Sequence, residues 1–221
     1  MADPLRLSLI DDGNRGDHSH LTAQDTCYYL REYTSHAGFA AGATNNLISN
    51  LKKKPSESHR PGFHYKARAV AECTRDLASA LNPEWLDNAT LVPVPSSKAR
   101  SHPDFDDRVT RICRGIRPGN IDVRELVVQD ASMIASHEAG FQRHTIQDLL
   151  AVYSIDESLV NPEPKAIGIV DDVLTAGTHY RAMHTVLSNR FPSVSIVGVF
   201  IARRIFPPQV TLQDLLARQK K

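Results

Sequence analysis

Ala166-Ile-Gly-Ile-Val-Asp-Asp-Val-Leu-Thr-Ala-Gly-Thr178 is the stretch on which the reading of the chain turns. Residues 166–170 form a short apolar run with β-branched side chains, of the kind that fits a strand covered on both faces in a parallel sheet. Asp171 and Asp172 follow without a spacer, which puts two carboxylates at the carboxyl end of that strand. Residues 175–178 make a small-residue turn, and a helical pattern opens behind it over residues 179–190. Ligands of open α/β sheets bind at the carboxyl ends of the strands. A small-residue turn at a helix start offers free N–H groups and the positive end of the helix dipole to a phosphate. Gly177 lets the backbone approach closely, and the hydroxyls of Thr175 and Thr178 add donors. Two carboxylates would repel the phosphate itself, but they suit sugar hydroxyls or a hydrated divalent cation. The stretch therefore reads as a cradle for a phosphorylated sugar.

Working outward, residues 194–202 are the next apolar strand, followed by Arg203, Arg204, Phe206 and a short terminal helix over 211–218. Upstream, residues 90–94 read as a buried strand whose end is held extended by Pro93 and Pro95. A polar and basic loop follows, with Ser96, Ser97, Lys98, Arg100 and His102, and then a helical stretch over 106–114. A strand opening into such a loop is a second anion site, where Lys98 and Arg100 can hold a diphosphate through charge-assisted bonds. The competing reading of these two side chains is solvated surface charge. Residues 121–128 read as a strand with a polar first half. A small, polar segment (129–142), Arg143, His144 and a helical stretch (145–150) follow. This alternation predicts an α/β fold with a doubly wound, mostly parallel sheet and right-handed crossovers.

The first 85 residues carry less of this pattern. Residues 5–10 suggest an edge strand ending in Asp11-Asp12-Gly13, and residues 14–20 a solvated turn. Asp17, His18 and His20 could be argued as metal ligands, but His-x-His on a polar loop is weak grounds. A helix is expected over 22–33, with Thr22 as N-cap and Asp25 at the capping position. A second is expected over 36–54, ending in Lys52-Lys53-Lys54 and Pro55, and a third over 63–81. Residues 1–85 thus read as a helical cap, or hood, within one globular unit whose α/β core is residues 86–221.

Val170-Asp-Asp-Val-Leu-Thr-Ala-Gly-Thr178 closely resembles the phosphoribosyl pyrophosphate (PRPP) signature of type I phosphoribosyltransferases. Val92-Pro-Val-Pro95 with the basic loop after it is similar to the competence protein F (ComF)-like branch of that family. The likeness covers roughly residues 91–203. It implies an enzyme that transfers ribose 5-phosphate from PRPP to a nitrogenous base or related acceptor and releases diphosphate. It also implies the site: Asp171 and Asp172 at the ribose hydroxyls, Thr175, Ala176, Gly177 and Thr178 around the 5′-phosphate, and Val173 and Leu174 between them as part of the PRPP-binding stretch. Ser97, Lys98 and Arg100 would lie at the diphosphate, and Arg143, on a closing loop, would neutralise the leaving group ahead of His137 and His144. Phe206 would lie near the acceptor. Mg²⁺ would be held chiefly by substrate oxygens, with Asp171 and Asp172 as indirect partners. The sequence departs from the ComF-like pattern at His102-Pro-Asp-Phe-Asp-Asp107, where acids stand in place of a basic turn. That departure keeps open an alternative, a non-catalytic protein of the same fold that binds PRPP or a nucleotide for regulation.

The bulk properties set outer limits. At 221 residues, with 41% hydrophobic and 23% charged residues, the chain suits a soluble globular protein. A formal charge of +1 gives no global field toward nucleic acid or an anionic membrane. Cys27, Cys73 and Cys113 are far apart and read as buried thiols of a reducing compartment. No run is long enough to span a membrane, and Met1-Ala-Asp-Pro4 has no signal-peptide pattern, so the expected address is the cytoplasm. A homo-oligomer is left open.

Overall fold

A computed structural model describes residues 5–129 and 144–207. The chain enters through β1 (Ser8–Leu9) and β2 (Cys27–Thr34), then α1 (Ala43–Leu51), α2 (Tyr65–Ala80) and α3 (Pro83–Leu86). β3 (Ala89–Pro93), α4 (Arg108–Gly115), β4 (Asp122–Val123) and β5 (Val127–Gln129) follow. α5 (Ile146–Leu150), β6 (Tyr153–Ile155), β7 (Ala166–Leu174), α6 (Thr178–Arg190) and β8 (Ser195–Ile205) complete the described elements.

Six strands form one sheet in the order β1-β2-β8-β7-β3-β4. All its pairings are parallel except β1 with β2. β7 lies near the middle, and its apolar run explains why. Alternate residues of a strand face opposite sides. Ile167 and Ile169 pack with Tyr180, Met183 and Leu187 of α6, whereas Val170 packs with Leu51, Cys73, Leu77 and Ile112 from α1, α2 and α4. The fold is therefore mixed α/β, a mostly parallel sheet with helices on both faces. Gly168 is required by the packing, because a Cβ there would stand 2.7 Å from the Trp85 ring.

Three expectations are corrected. First, Cys27–Thr34 is a strand and not part of a helix over 22–33. Buried Cys27 and Leu30, three apart, imitate a helical face. Tyr28, Tyr29, Tyr33 and Thr34 nevertheless favour a pleated surface, and pairing with Gly198–Ile205 of β8 decides the outcome. Residues 1–85 are consequently no purely helical hood, since two of the six sheet strands come from them. The helix expected over 36–54 shortens to Ala43–Leu51, because Gly38 (φ 68°) and Gly42 (φ 146°) break the backbone ahead of it. Second, residues 121–128 are two strands in different sheets: β4 pairs with β3, and β5 pairs antiparallel with β6, which the sequence reading did not foresee. Third, β7 continues past the expected end at residue 170, because Asp171, Val173 and Leu174 still pair with Phe200, Ala202 and Arg203.

Two elements position the carboxyl edge of this sheet. α1 starts beside the end of β2, where Asn45 (3% exposed) bonds the N–H and C=O of Thr34 and the C=O of Gly38. It ends at Lys52, beside β7. Nine residues of helix span about 13 Å, enough to cross the two strand spacings between β2 and β7. α2 then runs back along one face of the sheet. Its buried Lys66 donates to the C=O of Leu51 (2.6 Å) and of Lys53 (2.9 Å), closing the carboxyl end of α1 with a cation.

Candidate functional site

A cavity of about 260 Å³ opens at the carboxyl ends of β3 and β7. Its walls include Asp171, Asp172, Val173 and Thr175 from the central stretch, Ser96 and Ser97 from the loop after β3, Asp106 and Arg108 at the start of α4, Lys52 after α1, and His179 on α6. Three separate parts of the chain thus converge on one space.

The two adjacent carboxylates meet different surroundings. Asp172 is buried, and both of its oxygens accept from cations. Lys52 Nζ lies 3.0 Å from Oδ1, while Arg108 Nε and Nη2 lie 2.9 and 2.6 Å from Oδ2. Burial alone would raise its pKa, but Lys52 and Arg108 outweigh it and hold the carboxyl below the usual range. Asp171 forms no ion pair among the described residues; its Oδ1 accepts the Asp172 N–H at 2.7 Å. Burial and the neighbouring Asp172 charge raise its pKa to about 7. On the same side, burial lowers the pKa of His179 to about 4, leaving a neutral ring whose Nδ1 shares a hydrogen bond with the Tyr153 hydroxyl at 2.9 Å.

Asp106 extends the network. It accepts from Lys66 Nζ at 2.6 Å and Arg108 Nη1 at 2.9 Å, so Arg108 bridges Asp106 and Asp172. Burial lowers the Lys66 pKa against the pull of Asp106. Burial opposes the charge of Arg108 as well, but Asp172 and Asp106 outweigh it and raise its pKa. The acids at 104–107 are thus largely structural. Asp106 pairs inward, and Asp104 accepts from the Ser56 N–H at 3.2 Å.

Residues 175–177 carry β7 into α6. Gly177, at φ 88°, is the N-cap of α6 and offers no side chain to the first N–H groups of the helix, which have no intrahelical acceptors. The turn over 14–20, expected to be solvated, packs against this loop: His18 is fully buried, with Nδ1 donating to the Thr175 C=O at 2.5 Å. A second cavity, of about 420 Å³, adjoins the first through Pro95 and Ser96 and is lined by Lys98, Arg100, Phe105, Glu125 and Gln129. Arg100 Nη2 lies 3.0 Å from Glu125 Oε2, and its guanidinium lies 5.8 Å from the centre of the Phe105 ring. No salt bridge to Lys98 is found among the described residues.

The expected site residues therefore divide. Asp171, Asp172, Val173, Thr175 and Ser97 border the smaller cavity, and Lys98 and Arg100 the larger. Gly177 and Thr178 border a small void of about 10 Å³ behind the loop. Leu174 is 1% exposed in the core, so only its backbone is placed to contribute. Phe206 is exposed at the end of β8 under the Arg204 guanidinium and lines neither cavity. Arg143 and His137 lie outside the described residues. Sequence reasoning missed Arg108, Asp106 and His179, and it weighed Lys52 only as one of a lysine triplet. The available signal was Asp106-Asp107-Arg108, opposite charges at the start of a helix that follows the basic loop. Among the described residues no three His, Cys, Asp or Glu side chains converge on one point, and no helix is long and apolar enough to cross a membrane. Comparison with family models and with curated proteins gives no match for this chain.

Proposed function

We propose that the paired cavities bind PRPP and that the chain transfers its ribose 5-phosphate to a nitrogenous acceptor. The observation that carries this reading is the meeting, in one cavity at the carboxyl edge, of Asp171, Asp172 and Thr175 with the loop after β3. Ribose hydroxyls would donate to Asp171 and to the outer lone pairs of Asp172. The free N–H groups at the start of α6 would take the 5′-phosphate. Ser97, Lys98 and Arg100 would take the diphosphate, in or beside the larger cavity. Mg²⁺ would arrive on the diphosphate and screen its charge. The donor set suits that role, since both Asp172 oxygens are committed to protein cations and only Asp171 is left to meet a hydrated ion.

In this reaction the C1′–O bond breaks and diphosphate leaves with the bonding electrons. An acceptor nitrogen supplies its lone pair to C1′ and loses a proton. Asp171, with a pKa near 7, is matched to take that proton near neutrality. Positioning and charge stabilisation supply the rest, without a protein nucleophile.

One observation favours a second reading, a regulatory protein that binds the same ligand without turnover. Asp106 stands on the wall of the smaller cavity, in the segment where the ComF-like pattern has a basic turn, and it draws Lys66 and Arg108 to itself, which leaves fewer cations for a leaving group. Calorimetric titration with PRPP and Mg²⁺, paired with diphosphate release in the presence of a panel of bases, separates the cases. Binding with release supports transfer, and binding alone supports regulation. No binding, or unchanged binding after joint Asp171→Ala and Asp172→Ala substitution, overturns both.

A further inference from the structure

The loop over residues 175–178 does not hold its shape alone. The segment over 15–21 lies against it as a strap. His18 Nδ1 donates to the Thr175 C=O at 2.5 Å, and the His20 N–H donates to the Ala176 C=O at 2.9 Å. Leu21 fills the space that a side chain at Gly177 would need, 3.2 Å from the position of a Cβ there. The strap is itself anchored. Arg181 Nε donates to the His20 C=O at 3.1 Å and its guanidinium pairs with Asp25, while Arg204 Nη2 donates to the Asp17 C=O at 2.6 Å.

A trans peptide unit points its C=O and its N–H to opposite sides. Fixing the Thr175 carbonyl toward the strap therefore turns the Ala176 N–H away from it, and fixing the Ala176 carbonyl does the same for the Gly177 N–H. Successive N–H groups turned to one side form an anion-binding concavity. We infer that His18 is a positioning residue for this loop: by holding the Thr175 carbonyl it presents the Ala176 N–H to a phosphate, beside the Gly177 N–H that the His20 N–H turns the same way through the Ala176 carbonyl. Its consequence for binding rests on the PRPP reading above, while its effect on the loop does not.

Packing does not account for the imidazole. His18 is 0% exposed, and its Nε2 has no partner among the described residues. A hydrocarbon side chain of similar size would fill the site without leaving a buried nitrogen unpaired. Burial also disfavours the charged ring. A neutral ring has one proton, and because a carbonyl can only accept, that proton is on Nδ1. Asn carries its amide nitrogen the same number of bonds from Cβ as Nδ1, so it can restore the donor.

The test compares the full-length chain with its His18→Leu and His18→Asn variants. Without ligand, the ¹⁵N–¹H resonances of Ala176 and Gly177 are expected to move or broaden in His18→Leu and to return toward wild type in His18→Asn. Affinity for PRPP with Mg²⁺ is expected to fall about tenfold in His18→Leu, the equivalent of about 1.4 kcal/mol, and to recover in His18→Asn. Unchanged resonances in His18→Leu overturn the inference. So does a folded His18→Asn that behaves like the Leu variant. If wild type fails to bind PRPP, the functional reading falls while the ligand-free resonances still decide the role of His18.

Discussion

Asp171 and Asp172 are neighbours in sequence, yet they belong to two different regions. Asp172 stands between Lys52 and Arg108 on the side of α1 and α4 and is held fully charged. Asp171 stands beside α6, with a neutral His179 near it and, among the described residues, no cation paired to it, and its pKa is about 7. Alternation along a strand is enough to produce the difference, because adjacent residues meet different helices. The comparison teaches that a doubled acid need not mean doubled function. One carboxylate is tied into the wall by two cations and keeps only its outer lone pairs, and the other is left open to a ligand or a proton.

The largest expected effect breaks the Asp172 side. Arg108→Leu leaves a buried Asp172 with Lys52 alone and removes one cation from Asp106. Stability is expected to fall by about 3 kcal/mol, the usual cost of breaking a buried pair, as read by urea unfolding. A loss below about 1 kcal/mol would mean that the two acids are not as differently supported as their contacts indicate.

The second prediction concerns pH. The Asp171 carboxyl titrates at about 7 in the folded chain, against about 4 when unfolded. Folding therefore takes up a proton between those values, and stabilisation present below about pH 4 is lost as pH rises through about 7. Asp172 has the opposite sign: its pKa is depressed, so its contribution is present above about pH 4 and lost on acidification. Asp171→Asn is expected to gain stability relative to wild type as pH rises from 4 to 8, measured by denaturation at each pH. A flat difference would erase the contrast between the acids.

Lys52→Met should cost less, about 1 kcal/mol at most, because its side chain is 44% exposed and Arg108 keeps Asp172 charged. The same unfolding measurement checks it. Arg100→Ala is the smallest perturbation to the fold, within about 0.5 kcal/mol, since its pair with Glu125 is at the surface. On the proposed function it should nonetheless weaken PRPP binding and flatten its salt dependence. Titration at two ionic strengths would sharpen the division between wall and ligand contacts.

What was legible in the sequence follows the same division. The strand, the acid pair, the glycine turn and the helix after it were readable because they are contiguous and each obeys a local rule. The strand Cys27–Thr34 was not, because its partner β8 lies about 170 residues downstream and nothing local records that pairing. Lys52, Asp106 and Arg108 were obscured for a related reason: charged side chains near helix ends usually face solvent, and only tertiary packing buries Asp106 and brings Lys52 and Arg108 onto Asp172. His18 looked like part of a polar turn until the loop it supports was seen beneath it.

The sheet has one further consequence, at its margins. Both outer strands, β1 and β4, are two residues long. A stub of that length leaves few unpaired amides and carbonyls for another polypeptide to extend. Where a stub stops, its neighbour is left open: among the described residues β2 beyond Tyr29 and β3 beyond Leu91 have no outer strand partner, so a polypeptide that extended this sheet would have to pair past the stub and not along it.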